Sequence, residues 1–203
     1  MNIKKILIKF NILLDSFIKF DFIALLCLRL YLVPVLFVAA RSKILGFHTT
    51  VAWFAAPVSK GGLNMQFPEL MASLTVATEA CGLVCIALGF CVRLISIPLA
   101  VVMGVAAFAV HIKNGWPMLA ERNMESTLRL QGLMAWLAQN FPGRYNYTVA
   151  LGDPIMLNNG IEISTGYLIM FLVLFCFGGG RYVSIDYWIK KYATQNDVVG
   201  AKQ

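Results

Sequence analysis

Charged side chains are scarce in this sequence: they make up 13% of its 203 residues, whereas hydrophobic residues make up 59%. Ordinary soluble domains carry about 25% charged residues, so the composition excludes a soluble globular protein. The mean hydropathy of +0.73 points the same way. The chain is therefore predicted to be an integral membrane protein, with the lipid bilayer as its first partner.

Cysteine contributes five residues to the whole chain. All five lie in or beside apolar segments, and none lies in the two long polar connections where oxidation would form disulfides. No disulfide framework is predicted. The net charge of +7 comes from lysines and arginines that flank apolar segments, without one basic patch interleaved with aromatics. This pattern fits a membrane surface and argues against nucleic acid as a partner.

Long apolar runs are what the sequence does contain. A helix needs about 20 residues to cross roughly 30 Å of hydrocarbon. Four runs come close to that length, at about 22–40, 67–90, 94–112 and 161–177. The predicted fold class is all-α: a polytopic membrane protein in which residues 21–190 form a single four-transmembrane-helix bundle.

The two ends of the chain are predicted to lie on the same side of the membrane. Residues 1–20 show apolar positions at helical spacing with lysines between them, which predicts an interfacial amphipathic helix. Basic residues follow the even-numbered spans as well, at Arg93, Arg181, Lys190 and Lys191. By the positive-inside rule both termini are cytoplasmic, and residues 191–203 form a polar cytoplasmic tail.

The connections between the spans differ greatly in length. The second turn is minimal, whereas residues 41–66 and 113–160 are long connections on the outer face. The connection between the third and fourth spans contains apolar residues at helical spacing, which predicts a helix from about Asn123 to Gln139. Such a helix either lies on the bilayer or caps the bundle.

Two charged residues lie inside predicted spans, Arg29 in the first and Glu79 in the second. At 1.5 Å per residue, Arg29 is roughly 11 Å from the cytoplasmic side and Glu79 roughly 18 Å from the outer side, nearly one level. Because intramembrane charges pair inside a bundle, we expect an Arg29–Glu79 ion pair. The pair is either a functional feature or a buried salt bridge without chemistry, and the sequence leaves both open.

A second polar level is predicted near the outer surface. Lys43 follows the first span, His111 ends the third and Glu162 opens the fourth, so the three side chains are expected to converge. His111 is a candidate metal ligand or proton carrier, and Glu162 is a candidate second ligand or a group that orients the imidazole. The alternative is that these are interfacial polar residues in contact with water.

These positions carry a resemblance to the DoxX family. The stretches concerned are Leu28-Arg29-Leu30, Lys43, Glu79, His111-Ile112-Lys113-Asn114-Gly115-Trp116, and 179–186. Residues 30–35, 50–54, 157–162 and 178–188 resemble the HvfX branch more narrowly. The resemblance implies a protein of the bacterial inner membrane, with Arg29, Lys43, Glu79, His111 and Glu162 as candidate functional residues.

The resemblance also implies a role. The HvfX branch implies an accessory component in the maturation or handling of a copper-binding, ribosomally made and modified peptide, with the peptide precursor or its modifying enzymes as partners. DoxX relatives include a subunit of a thiosulfate:quinone oxidoreductase, so a quinone-linked oxidoreductase or its small subunit is the alternative. A small transporter is a second alternative. Copper and quinone are the candidate cofactors, and whether the chain is an enzyme is left open.

Overall fold

The computed structural model describes residues 20–200. Over that range the structure is helical, and its only extended pairing is an isolated antiparallel bridge between Leu119 and Leu157. The predicted all-α class is confirmed. The predicted interfacial helix falls on residues 1–20 and, apart from residue 20, lies outside the described residues, as do the last three residues of the predicted tail.

Eight α-helices form the described part of the chain. They are α1 (Asp21–Leu45), α2 (Phe47–Ala55), α3 (Pro68–Leu88), α4 (Val92–Val105), α5 (Glu125–Asn140), α6 (Pro142–Val149), α7 (Glu162–Phe177) and α8 (Ile185–Gly200). A π-helical turn, Ala106–His111, and a 3-10 turn, Ile112–Asn114, continue α4 without a break. A further 3-10 turn, Val58–Lys60, lies between α2 and α3.

Three helical segments in the described part are long and apolar enough to cross a membrane: Asp21–Leu45, Pro68–Leu88 and Val92–Asn114. They correspond to the first three predicted spans. The fourth predicted span is α7, which has 16 residues. At 1.5 Å per residue it is about 24 Å long, shorter than roughly 30 Å of hydrocarbon, so the four-span count is not confirmed.

The first long connection contains more structure than its sequence indicated. Residues 41–45 belong to α1, and α2 follows after Gly46. The helix predicted from about Asn123 to Gln139 is present as α5, Glu125–Asn140.

Chain contacts divide the molecule into two units, and the first consists of residues up to Val102 and from Leu168 onward. Within it, α1 packs against α3. The buried positions of α1 recur at helical spacing and are Arg29, Leu32, Leu36 and Ala40. Those of α3 are Ala72, Glu79, Gly82 and Ile86. Each helix therefore buries one face, and each buried face contains one charged residue.

Close packing between α3 and α4 depends on Gly82. A Cβ atom at this position would lie 2.9 Å from both terminal carbons of Leu99, which is itself fully buried. Large apolar side chains on the other faces of α1 and α4 are exposed, including Leu30, Val38 and Leu94. Such a surface is suited to contact with lipid.

The second unit is Met103–Tyr167. It contains the end of the third apolar segment, the long connection with α5 and α6, and the first turn of α7. Helices α5 and α6 pack against each other.

Candidate functional site

The buried carboxylate of α3 is paired with a lysine of α1. Lys43 Nζ lies 2.7 Å from Glu79 Oε1 and 2.8 Å from Oε2, so both oxygens accept from one ammonium group. Glu79 is 1% exposed, whereas the Lys43 side chain is 28% exposed. The carboxylate is therefore neutralised from a neighbouring helix, as a charge in an apolar segment requires.

Arg29 has a different set of partners, and the predicted Arg29–Glu79 ion pair is wrong. The Arg29 guanidinium donates to four backbone carbonyls in the described structure: Ile86 (2.7 Å), Ala87 (2.9 Å), Gly179 (2.9 Å) and Val183 (3.0 Å). Arg29 is 2% exposed. It joins α1 to the C-terminal turn of α3 and to the segment between α7 and α8.

The direction of helical side chains explains why Glu79 pairs with Lys43 and not with Arg29. A side chain in an α-helix leans toward the N-terminus of its own helix. On α1 this lean carries the Arg29 head group away from Glu79 and carries the Lys43 head group toward it. By residue count, the backbone positions of Arg29 and Glu79 lie at nearly the same depth. A long side chain nevertheless reaches far enough along the helix to change which cation pairs with Glu79.

The carbonyls that Arg29 contacts on α3 are acceptors without partners inside the helix. Ile86 and Ala87 lie in the last turn of α3, where carbonyl groups lack an intrahelical donor and carry partial negative charge. A guanidinium supplies several donors in one plane, so a single arginine can serve carbonyls from two segments at once. The contact accounts for a buried cation without a carboxylate partner.

A glycine and an aspartate complete this end of the first unit. Gly89 follows α3 with a φ of +69°, and a Cβ there would lie 2.7 Å from Arg29 Nη2. Asp186 accepts from the backbone N–H groups of Cys91 (2.7 Å) and Val92 (2.9 Å), and its own N–H donates to the Gly89 carbonyl (3.0 Å). Asp186 thus caps the start of α4. Sequence reasoning missed this role, because the capped helix lies far from Asp186 in the chain.

Ser184 and Arg181 make local contacts in the segment after α7. Ser184 Oγ accepts from the backbone N–H of Tyr187 (3.3 Å) and donates to the Gly180 carbonyl (2.6 Å), so it caps α8. Arg181 lies 3.5 Å from an Asp21 carboxylate oxygen.

In the second unit, the two ends of the long connection are bonded to each other. We call residues 114–118 and 158–162 the neck, and residues 119–157 the appendage. Five backbone bonds cross the neck: Asn158 and Asn159 donate to Met118, Gly160 to Pro117, Ile161 to Gly115, and Glu162 to Trp116. Gly160 is required there because a Cβ would lie 2.4 Å from the Pro117 carbonyl oxygen.

The predicted outer-face residues of this unit lie in the neck or against it. His111 Nδ1 donates to the Asn159 carbonyl at 2.9 Å, and Asn114 Nδ2 donates to the same carbonyl at 3.0 Å. Glu162 Oε2 accepts from the Met118 backbone N–H at 3.0 Å. His111 and Glu162 therefore bond to different partners within the neck. Lys43 is paired with Glu79 in the first unit, so these contacts do not join the three side chains in one site.

These bonds do not assemble a metal site. Among residues 20–200, no group of three or more histidine, cysteine, aspartate or glutamate side chains is placed to hold a metal ion. The donors predicted for a metal, His111 and Glu162, are each used in hydrogen bonds to the backbone. All five cysteines are free. The described residues therefore bring together no set of three such ligands for a resident metal ion.

The appendage has a groove beside α5. Its lining residues are Glu125, Ser126, Arg129, Leu130, Leu133 and Met156. Its volume of about 530 Å³ lies within the range of small-molecule and peptide side-chain sites. Glu125 and Arg129 form an ion pair at its edge, while the leucines and Met156 supply apolar surface.

Apolar helices long enough to span a bilayer, with their internal charged groups bonded to neighbouring segments, define a helical membrane protein. Residues 24–112 match the DoxX family model, and this stretch is a DoxX family domain. It covers fewer than half of the 203 residues and includes Arg29, Lys43, Glu79 and His111, while Glu162 lies beyond it. No curated protein and no solved structure matches the chain. These comparisons give no support to the narrower HvfX resemblance.

Proposed function

We propose that this chain is a non-enzymatic membrane component that holds a peptide partner during the maturation or handling of a copper-binding modified peptide. The observation that carries the proposal is the closed appendage of the second unit. A 48-residue connection without structure of its own would be unusual in a compact domain, yet here both of its ends are bonded together and it contains two packed helices.

The appendage presents apolar and aromatic side chains to its surroundings. Those that are exposed are Leu119, Leu128, Leu133, Trp136, Phe141, Tyr147, Leu151, Ile155, Met156 and Leu157. Exposed apolar surface of this extent on an ordered element is typical of an interaction site. Aromatic residues are also the side chains most enriched at protein interfaces.

The charged residues of the first unit support a structural role for the membrane helices. Arg29 is bonded to four carbonyls, and Lys43 and Glu79 are bonded to each other. These contacts hold α1, α3 and the segment after α7 in one arrangement. In the proposal, the first unit anchors the appendage in the membrane.

Copper reaches this protein with the peptide in our proposal, because the described residues do not bring metal ligands together. Both termini lie in the cytoplasm of a bacterial cell, α7 is the fourth span, and the appendage lies outside the inner membrane. Reporter fusions at Gln203 test the orientation: green fluorescent protein should fluoresce there, and alkaline phosphatase should be inactive. Active phosphatase at Gln203 would contradict it.

The proposal is tested by purifying the tagged chain from copper-supplied cells of its source organism. Peptides are identified by mass spectrometry, and copper is measured per chain. We expect a small metal-binding peptide to copurify with copper in proportion to it. A variant in which about six glycine and serine residues replace residues 122–153 retains the neck and should lose both.

The matched control is the thermal stability of the variant, which should stay close to that of the parent because the neck and first unit are unchanged. If a stable variant recovers as much peptide and copper as the parent, the appendage is not the part of the chain that contacts the peptide. Absence of any metal-binding peptide from the parent would reject the proposed function.

A quinone-linked role is a second candidate, and His111 favours it. Its Nδ1 faces a carbonyl, so Nδ1 carries the proton in the neutral ring and Nε2 is left as an acceptor. A half-buried imidazole at the end of a π-helical turn is suited to take a proton from a quinol hydroxyl. Solvent extraction should then yield quinone from the parent and less from His111→Ala. If solvent extraction of the parent protein yields no quinone, the quinone-linked role is rejected.

Transport, the remaining alternative, gains no support from the contacts of Arg29 and Glu79. A polar path through both residues would need them to share an environment, and each is bonded to separate partners.

A further inference from the structure

The appendage contains a short non-helical segment, residues 153–157, that ends at an isolated antiparallel bridge between Leu157 and Leu119. It pairs with the chain around Leu119 through two bonds, Ala120 N–H to Met156 O (3.0 Å) and Asn158 N–H to Met118 O (2.8 Å). These bonds flank the Leu119–Leu157 bridge on both sides. In an antiparallel pair of this type, the N–H and C=O groups of the bridging residue point away from its partner.

Leu157 therefore directs its backbone groups toward an open edge. If the chain continues as a strand before Leu157, the backbone groups of Ile155 point the same way, because directions alternate along a strand. Within the described structure, neither residue has a hydrogen bond to its backbone N–H or C=O group. Ile155 is 68% exposed and Leu157 is 60% exposed. The segment is thus an unpaired edge with accessible donors and acceptors.

Met156, between these two residues, lines the groove beside α5. Successive side chains of an extended chain point to opposite faces, so the groove lies on the Met156 face. A second extended chain paired along the open edge would place every other side chain on that same face. Apolar side chains there would meet the surface formed by Leu130, Leu133 and Met156.

From this arrangement we infer that the edge at Ile155 and Leu157 receives an extended peptide segment with apolar side chains at alternate positions, added as a further strand. Recognition by strand addition takes its affinity from main-chain hydrogen bonds and its selectivity from pockets for alternate side chains. The inference rests on the proposed function and names how the peptide partner is held.

The backbone of this edge argues against the bilayer as its occupant. Burial of unbonded N–H and C=O groups in hydrocarbon is strongly unfavourable, because no water is present to bond them. A paired peptide strand satisfies the same groups. The ion pair of Glu125 and Arg129 at the groove is already neutral as a unit, so the site has little preference for peptide charge.

The test uses the full chain in lipid nanodiscs and a fluorescent, acetylated peptide of alternating valine and threonine, seven residues long. Fluorescence anisotropy measures its dissociation constant. A second peptide has the same sequence but carries N-methyl groups on alternate residues, which removes the donors of one edge. We expect binding of the first peptide and at least about tenfold weaker binding of the N-methylated one, since a single lost bond of about 1.4 kcal/mol corresponds to that factor.

The matched pair of protein variants is Ile155→Pro and Ile155→Ala. Proline removes the N–H group at an exposed edge position where proline is sterically tolerated, while alanine keeps it. We expect Ile155→Pro to weaken peptide binding about tenfold and Ile155→Ala to change it less than threefold. Affinity should also change little between low and high salt, because no unpaired charge takes part.

Three results would overturn the inference: no binding of the valine–threonine peptide, equal binding of its N-methylated form, or equal binding to Ile155→Pro and Ile155→Ala. Quenching of a fluorophore at position 155 by brominated lipid would also overturn it by placing the edge in the bilayer. If Ile155→Pro still copurifies the metal-binding peptide from cells, strand addition is wrong while the proposed function stands. If the parent copurifies none, the proposed function fails whatever the edge binds.

Discussion

Lys43 and Glu79 make the only ion pair between buried helix faces in the described structure, with Nζ within 2.8 Å of both carboxylate oxygens. The two residues are unequally buried: the carboxylate is 1% exposed and the lysine side chain 28%. This difference in burial predicts that loss of the lysine costs more stability than loss of the carboxylate, because only the lysine has access to the surface.

Replacement of Lys43 by Met should destabilise the protein more than replacement of Glu79 by Gln. Lys43→Met leaves a buried carboxylate without a counter-charge, at a cost of about 3–5 kcal/mol. Glu79→Gln leaves an ammonium that can still reach water, at about 1–2 kcal/mol. Unfolding in detergent measures both, and the double variant should recover part of the loss. Lys60→Met, at an exposed position, is the control. Additive losses would contradict a coupled pair.

Arginine should be irreplaceable by lysine at position 29. Lysine offers a compact head group in place of a planar one, so it cannot reach carbonyls of α3 and of the 179–183 segment together. We expect Arg29→Lys to lower stability by about 2 kcal/mol, since buried carbonyls lose charged donors. Arg93→Lys changes an exposed arginine and should be neutral. Equal melting temperatures for the two variants would show that the carbonyl contacts are unimportant.

A methyl group at position 89 should be poorly tolerated. Gly89 has a φ of +69°, and its added Cβ would lie 2.7 Å from Arg29 Nη2. We expect Gly89→Ala to cost at least about 1–2 kcal/mol from backbone strain and crowding. Gly104→Ala meets nothing within 4 Å in a helical position and should be neutral or stabilising by about 0.5–1 kcal/mol. A reversed order of stabilities would refute the close approach at Gly89.

The neck should loosen when Asn158 is shortened. Its Nδ2 donates to the carbonyls of Asn114 (2.7 Å) and Pro117 (2.8 Å). Asn158→Ala leaves both without that donor, so amide exchange at Gly160 and Ile161 should become about tenfold faster, equivalent to about 1.4 kcal/mol. Asn123→Ala removes an exposed amide and is the control. Unchanged exchange in Asn158→Ala would mean that the backbone bonds alone hold the neck.

Hydropathy located the helices well because burial in lipid requires only length and apolar composition. The first three predicted spans and the helix of the long connection have counterparts within a few residues. Helix α2 was missed because its nine residues are too few to show a reliable period. The π-helical turn before Ile112 was also missed, since no sequence pattern distinguishes it from a continued α-helix.

Pairing of charges was harder to predict than their presence. Their positions identified Arg29 and Glu79 as charges inside spans and Lys43 as a polar residue after the first span. Only side-chain direction decides which of the two cations meets the carboxylate. Arg29 further shows that a buried cation can be satisfied by carbonyl dipoles alone, which removes the need for an acidic partner. The neck could not be predicted for another reason: its backbone bonds join groups 40 or more residues apart, and backbone groups carry no sequence signal.

The neck also has an evolutionary consequence. Because residues 114–118 and 158–162 are bonded to each other, any segment between Leu119 and Leu157 begins and ends at neighbouring positions. Insertions, deletions or whole exchanges in that stretch change the loop-closure cost only slowly with length. The membrane helices and the appendage can therefore diversify at separate rates, and related proteins should differ most in the segment between Leu119 and Leu157.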